Sequence, residues 1–189
     1  MSITIRRAAP QDANAIAQVR IDSWRTTYRG LVPDAYLDAM QLTPSVEMWS
    51  RVLNAAGAPA SVFVAENDGS IVGFAAGNML QEPRYGLNAE LSAVYLRREF
   101  QRAGLGRRLV CAVAEAERDH GATGMIVWII SGNKAARAFY ERLGAALLVE
   151  QPFEWDGVPL TEAGYAFTDI DALVAACKAV SGTGASAVH

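Results

Sequence analysis

A glycine-containing turn at residues 101–106 separates a strand-like apolar run, residues 90–96, from a helix-like segment. Such a turn exposes unpaired backbone N–H groups, to which the helix dipole adds partial positive charge at Gly104 and Gly106. Three cationic side chains lie in or beside the turn: Arg102, Arg107 and Arg108. The segment therefore predicts a site for a phosphate or pyrophosphate group, with a plain tight turn as the alternative.

Spacing excludes two common phosphate motifs at this turn. A dinucleotide-binding fingerprint requires a third glycine three residues after Gly106, where this chain has Leu109. A nucleoside-triphosphate loop requires Gly-Lys-Ser/Thr, whereas Arg107 and Arg108 follow Gly106. The turn belongs to another kind of phosphate-binding site.

Length and composition set the class of protein. The 189 residues, 51% hydrophobic and 20% charged, suit one domain that buries roughly 70% of its unfolded surface. A net charge of -3 argues against a nucleic-acid partner, which would favour a basic surface. The histidines are His120 and His189 alone, so a His-based zinc site or a Ser-His-Asp hydrolase lacks its residues.

Neither the N-terminus nor any later run indicates export or a membrane. The first residues lack the apolar core of a signal peptide, and no run approaches the roughly 18 apolar residues of a membrane span. We expect a soluble, cytoplasmic protein without a membrane partner. Its cysteines should be reduced, with Cys111 a buried small apolar residue and no ligand spacing to Cys177.

Hydrophobic periodicity and turn residues position these groups. Strands are predicted at 3–5, 61–65, 71–79, 90–96, 125–130, 146–154 and 160–168. Helical segments are predicted at 10–24, 34–40, 43–56, 106–120, 136–143 and 169–180. Thr43 and Pro44 would begin the third helix, Gly57 and Pro59 would end it, and residues 81–88 would form a loop.

This order predicts an α/β (mixed α+β) fold. Interleaved hairpins and crossover helices give a mixed, mostly antiparallel sheet with helices on both faces. We expect a single domain over residues 1–180. Residues 181–189 are small and polar, and we expect a disordered tail there.

Two sequence signatures resemble those of the GNAT N-acetyltransferase superfamily. Gln101-x-x-Gly104-x-Gly106 after an apolar strand resembles the family's acyl-CoA signature. Residues 133–145, Asn-Lys-Ala-Ala-Arg-Ala-Phe-Tyr-Glu-Arg-Leu-Gly-Ala, resemble its second signature, with Ala145 in place of the usual aromatic residue. The resemblance extends over residues 3–168.

The resemblance implies the GNAT acyl-CoA N-acyltransferase fold, acetyl-CoA as co-substrate and no metal. The fourth strand would splay from the fifth, and pantetheine would bond the backbone of Val94, Tyr95 and Leu96. Backbone amides of the turn would hold the pyrophosphate: Arg102, Ala103, Gly104, Leu105, Gly106 and Arg107. Asn133 would bond pantetheine or a backbone carbonyl on the opposite wall, and a helix N-cap is its alternative role.

The same resemblance places Tyr140 beside the CoA sulfur. A phenol of pKa about 10 can donate a proton to a departing thiolate of pKa about 8.5. Periodicity alone favours a core tyrosine on the apolar face of its helix, so both interpretations of Tyr140 are open.

The acceptor amine needs a base, because an alkyl ammonium of pKa about 10.4 leaves about one free amine in 10³ at pH 7. Glu90, at the start of the strand, is the candidate, and a solvated edge charge is its alternative. Trp24 and Tyr28 lie in the region that lines the family's acceptor pocket. Further aromatic and acidic candidates lie near this pocket: Tyr36, Asp22, Asp34, Asp38, Glu82 and Glu154. A solvated acidic face is the alternative interpretation of these acidic residues.

These residues together predict an enzyme that transfers acetyl from acetyl-CoA to a primary amine of a small molecule. The amine would attack directly in a ternary complex. Acetylation of protein N-termini or lysines is an alternative, as is a non-catalytic acyl-CoA sensor. Many relatives form homodimers, which leaves a homodimer open for this chain.

Overall fold

The computed structural model describes residues 3–55 and 60–182, and for residues 180–182 the backbone alone. Seven strands form one sheet in the order β1-β2-β3-β4-β5-β7-β6. The strands are β1 (Ile3–Arg7), β2 (Ala60–Asn67), β3 (Ser70–Arg84), β4 (Leu87–Leu96), β5 (Met125–Ile130), β6 (Ala146–Trp155) and β7 (Val158–Phe167). The α-helices are α1 (Ala13–Thr27), α2 (Asp34–Ala39), α3 (Leu42–Asn54), α4 (Leu105–Asp119), α5 (Lys134–Arg142) and α6 (Ile170–Gly182).

The two faces of the sheet carry different helices. On one face Leu109 and Val113 of α4 join a core with Leu91 of β4, to which α5 and α6 also contribute. On the other face Ile16 of α1 and Trp49 of α3 pack with β2 and β3. The predicted α/β fold with helices on both faces is confirmed.

Strand direction is antiparallel throughout the sheet except between β4 and β5. These two strands run parallel and pair over three positions, Ala89–Leu91 against 125–127. Strand β5 continues to pair with β7 as far as Ile130. The C-terminal halves of β4 and β5 therefore diverge, and the sheet opens between them.

A β-bulge lies in β4 where this opening begins. Gly77 and Ala76 of β3 pair with Leu91 and Ala93, so Ser92 is an extra residue in the ladder. An extra residue reverses the alternation of the strand. Leu91 faces the α4 core before the bulge, whereas Tyr95 faces α1 after it.

The predicted loop at residues 81–88 is wrong. Strand β3 reaches Arg84 and β4 begins at Leu87, so a two-residue turn joins them. Tyr85 and Gly86 both have positive φ, 55° and 76°, which matches the twist of a tight hairpin. The polar residues and Pro83 that indicated a loop lie instead on exposed strand ends.

Helix boundaries also differ from the prediction. Helix α3 begins at Leu42, so Thr43 and Pro44 lie within its first turn, where a missing backbone N–H is tolerated. The predicted end at Gly57 and Pro59 lies outside the described residues. Helix α6 extends to Gly182, two residues into the predicted tail, and residues 183–189 lie outside the description. No helix in the described ranges is long and apolar enough to cross a membrane.

The cysteines are joined, contrary to the expectation that they are reduced. Cys111 of α4 and Cys177 of α6 form a disulfide with their Cα atoms 5.9 Å apart. This Cα separation falls within the usual range for disulfides. Their spacing in the sequence carries no sign of the pairing, because it depends on α4 and α6 packing side by side in one core.

Candidate functional site

The glycine turn leads directly into the N-terminus of α4. Gly104 is the N-cap residue with φ of 77°, in the left-handed region that glycine adopts at little cost. A Cβ atom at Gly104 would meet nothing within 4 Å, so the space beside this backbone is open. The first N–H groups of any α-helix lack intrahelical carbonyl partners, and here they face this turn. The arrangement suits an anion.

Side chains around the turn are placed differently from the prediction. The guanidinium of Arg107 donates to the carbonyl of Ala176 at 2.6 Å, and that of Arg108 to the carbonyl of Ile3 at 3.1 Å. These two cations hold α6 and β1 and do not surround the turn. Arg102 remains exposed in the turn, with φ of 63°.

Gln101 has a structural role that the sequence did not reveal. Its Nε2 donates to the carbonyl of Leu96 at 3.1 Å, which closes the turn back onto the end of β4. Ser23 of α1 also donates to this carbonyl, at 3.3 Å. The end of β4, the turn and α1 are therefore fixed to one another.

Asn133 caps α5 beside the opened part of the sheet. Its side-chain oxygen accepts a hydrogen bond from the backbone N–H of Ala136 at 3.1 Å. Its side chain also lies near the phenol of Tyr28, the C-cap residue of α1: burial raises the pKa of this phenol, and Asn133 lowers it. The N-cap interpretation of Asn133 is confirmed, and the residue also lies close to the end of α1.

Three tyrosine phenols approach one another near the opening. Tyr28 lies near Tyr95, whose hydroxyl accepts from the indole of Trp24 at 2.9 Å. Tyr140 of α5 is 6% exposed, and burial together with the nearby Tyr95 raises its pKa above that of a free phenol. Tyr140 therefore keeps its proton at neutral pH and can act as a donor. It lies in the α4-side core, as the alternative interpretation also required.

A cavity of about 520 Å³, here called the sheet cavity, lies on the α1 side of the opening. It brings together four residues singled out in the sequence, from α1 and β4: Trp24, Tyr28, Glu90 and Tyr95. Aromatic side chains of β5 and the β6–β7 hairpin complete much of its wall: Trp128, Phe153 and Trp155. Its volume and lining are those of a small-molecule site.

Glu90 is held in this cavity in a partly desolvated environment. It lies between Asn78 of β3 and Ile126 of β5 in the sheet register. Burial raises the pKa of the Glu90 carboxyl, and the nearby carboxylate of Glu162 raises this pKa further. Arg84, which stacks 4.9 Å from the ring of Trp128, opposes these two effects.

Glu162 is a cavity residue that the sequence analysis did not identify. It lies on β7 opposite Ile130 of β5, and its carboxylate accepts from the amide of Gln151 at 2.7 Å. The charge of Glu162 affects Glu90 because β5 alone separates their strands in the sheet. The sequence signal for Glu162 was a charged residue within a predicted strand. The sequence did not show where that strand lies in the sheet.

A second cavity of about 680 Å³, here called the helix cavity, adjoins the first. Three residues contribute to both linings: Arg20, Met48 and Trp155. Tyr36 and Glu154 of the predicted acceptor region line the helix cavity. The other acidic candidates line neither cavity, and two of them pair with Arg29: Asp22, Asp34, Asp38 and Glu82.

The opened sheet, the glycine turn and the adjoining cavity define an acyltransferase. A family model described as the acetyltransferase (GNAT) family matches residues 19–145. The uncharacterized N-acetyltransferase YuaI of Bacillus subtilis (strain 168) is 38% identical over 173 residues, which cover 90% of this chain and 96% of that protein. The chain belongs to the GNAT acetyltransferase family.

Solved structures share this fold at lower identity. PaiA N-acetyltransferase from Thermoplasma acidophilum, in complex with coenzyme A, aligns with a TM-score of 0.67 and 19% identity over 86% of this chain and 98% of that one. YncA from Salmonella typhimurium, solved with its cofactor acetyl-CoA, aligns with a TM-score of 0.65 and 22% identity over 89% of this chain and 95% of that one. These matches support the fold.

The electrostatic effect of Glu162 on Glu90 predicts a measurable shift in the pKa of Glu90. Glu162→Gln removes the like charge, so the pKa of Glu90 should fall while burial keeps this pKa above its ordinary value. Carboxyl ¹³C NMR titration of the protein measures this change. Glu154→Gln is the control, because Glu154 is an exposed carboxylate outside the sheet cavity. An unchanged Glu90 titration in Glu162→Gln would contradict the coupling.

Proposed function

We propose that this protein transfers acetyl from acetyl-CoA to a primary amine of a small molecule by direct attack in a ternary complex. The observation that carries the proposal is the divergence of β4 and β5 between the glycine turn and the sheet cavity. Tyr95 belongs to both the phenol group and the cavity lining, so a thioester held at the opening would face the cavity.

The residues present fit acetyl-CoA. The turn offers open backbone at Gly104 for the pyrophosphate, and the amides of residues 102–107 would bind it. Beyond the bulge, the backbone of Val94, Tyr95 and Leu96 has no partner strand on the β5 side and would bond pantetheine. The coenzyme A and acetyl-CoA bound in the two solved structures of the same fold support this proposal.

The chemistry requires two proton transfers. The amine nitrogen forms a bond to the thioester carbonyl carbon and the carbon–sulfur bond breaks, so the amine loses a proton and the thiolate gains one. Tyr140 is the proton donor to the sulfur in this proposal, since burial keeps its phenol protonated. Backbone N–H groups of β4 polarise the thioester carbonyl, and the rest of the rate comes from positioning.

Glu90 receives the amine's proton in this proposal. A carboxyl with a raised pKa is a better match to a base at neutral pH than an ordinary glutamate. Val94 lies four positions after Glu90, a path of up to about 13 Å at roughly 3.3 Å per residue. Glu90 therefore requires an amine that lies nearer the start of β4 than Val94, and a bridging water would extend the reach of the carboxylate by about one hydrogen-bond length.

The small-molecule acceptor is supported by the shape of the sheet cavity. Helices α1 and α3 and the β6–β7 hairpin border it, and its volume of about 520 Å³ lies within the range of ligand pockets. Aromatic walls with two carboxylates suit a cationic amine.

The proposed pyrophosphate site at the glycine turn predicts a loss of CoA affinity in Gly104→Ala. The methyl group enters the open space that the pyrophosphate would occupy, and calorimetry should show at least a tenfold weaker Kd for CoA. Gly86→Ala is the matched control, because Gly86 has nearly the same φ, 76°, and the same open surroundings in the β3–β4 turn. Equal CoA affinity of the two variants would exclude the turn as the pyrophosphate site.

The catalytic role of Tyr140 predicts a loss of about 10²-fold in kcat for Tyr140→Phe, with acetyl-CoA affinity retained. The assay follows free thiol release from acetyl-CoA over a panel of small amines and of lysine-containing and N-terminal peptides. Tyr165→Phe is the control, because Tyr165 is a buried β7 tyrosine bonded to Glu141 outside the cavities. Full turnover per folded Tyr140→Phe molecule would overturn the catalytic role of Tyr140. Transfer to peptides alone would overturn the small-molecule acceptor.

The base assignment predicts a pH dependence. Since Glu90 acts when ionised, kcat/KM should rise with pH through its raised pKa, and Glu90→Gln should remove this limb with CoA binding preserved. Glu82→Gln, at an exposed glutamate outside both cavities, should keep the wild-type profile. A wild-type profile in Glu90→Gln would assign the proton transfer to another group.

A further inference from the structure

Arg20 of α1 is a cation held at the wall that the two cavities share. Its guanidinium stacks 5.2 Å from the ring of Trp24. Burial raises the pKa of the nearby Tyr95 phenol, and the charge of Arg20 opposes this effect. Within the described part of the chain, the guanidinium has no hydrogen-bond or ion-pair partner. By contrast, five other arginines are bonded to carboxylates or carbonyls: Arg6, Arg25, Arg29, Arg118 and Arg137. Arg20 therefore has donors available for a bound molecule.

The charges of the sheet cavity form a mixed pattern. Arg20 is the cation of its described lining, and Glu90 and Glu162 are the carboxylates. A simple alkylamine would match the carboxylates but leave the partly desolvated guanidinium without a partner. A planar guanidinium fork is well suited to bind a carboxylate. The cavity is thus complementary to a molecule with both an ammonium and an anionic group.

Opposing charges indicate which cavity receives the anion. Glu154 and Asp156 of the β6–β7 hairpin line the helix cavity and would repel an anion there. The sheet cavity has its carboxylates on β4 and β7, whereas Arg20 lies on α1. The anionic group therefore contacts Arg20 from the sheet cavity, with its ammonium toward the strands and an apolar body against the aromatic walls.

We propose that the acceptor is an amino acid with an apolar side chain, whose carboxylate binds Arg20 and whose amino group faces Glu90 and Glu162. This substrate class rests on the proposed acetyl transfer. Arg20 is accordingly the residue that selects amines carrying a carboxylate over amines without one.

The test compares matched acceptors that differ in the carboxylate: leucine with 3-methylbutylamine, and phenylalanine with 2-phenylethylamine. Wild-type kcat/KM should favour the amino acid of each pair. In Arg20→Gln the ratio of amino acid to amine should fall roughly ten- to hundredfold, the effect of losing a hydrogen-bonded charge. The ratio is the readout because the different basicities of the two amino groups cancel between the proteins.

Arg51→Gln is the matched control, because it removes the same charge from an exposed α3 residue outside both cavities and should keep the wild-type ratio. Arg20→Lys should retain part of the preference, and thermal unfolding reports whether each variant is folded. An equal preference in wild-type protein and folded Arg20→Gln, or better turnover of the amines by wild-type protein, would overturn the proposal.

A binding measurement distinguishes failure of this inference from failure of the proposed acetyl transfer. Calorimetry with CoA-loaded protein should show leucine binding that Arg20→Gln weakens and Arg51→Gln does not. Carboxylate-dependent binding without turnover of any acceptor would overturn the acetyl transfer and leave the Arg20 site standing. Turnover of amines without binding or turnover of amino acids would overturn the Arg20 site and leave the transfer standing.

Discussion

The parallel pairing between β4 and β5 ends after three residue pairs, and the geometry of the site depends on this ending. Backbone N–H and C=O groups that leave a sheet ladder need other partners, so an interrupted ladder is costly unless something else binds there. The bulge at Ser92 and the continued pairing of β5 with β7 hold the two strands apart. The sheet thereby presents free strand backbone in its interior, next to a helix N-terminus.

The bulge also determines which side chains of β4 face each side of the sheet. By reversing the alternation of β4, it turns Tyr95 toward α1 while Val94 and Leu96 pack on the α4 side. The phenols of Tyr28 and Tyr95 and the cap residue Asn133 then connect α1 with α5 across the opening. One extra residue in one strand therefore couples the glycine turn to the sheet cavity.

The electrostatics of the cavity arise from desolvation more than from any single charge. Glu90 has its pKa raised first by burial and then by Glu162, while Tyr140 keeps its proton because burial disfavours the phenolate. On the opposite side of the sheet cavity, Arg20 of α1 has no counter-ion among the described residues. In the proposed function these three residues serve as the base, the acid and the anion-binding group.

Local patterns were enough to determine the number and order of the strands, most helix positions, the glycine turn and both GNAT signatures, because periodicity and turn chemistry act over a few residues. They also placed Glu90, Trp24 and Tyr28, since these residues lie within or beside recognisable elements. Tertiary packing alone determined the Cys111–Cys177 disulfide, the hydrogen bond from Arg107 to the carbonyl of Ala176, and the effect of Glu162 on the pKa of Glu90. Each of these contacts joins elements distant in the chain, and their proximity depends on strand order and helix packing, which no local pattern encodes.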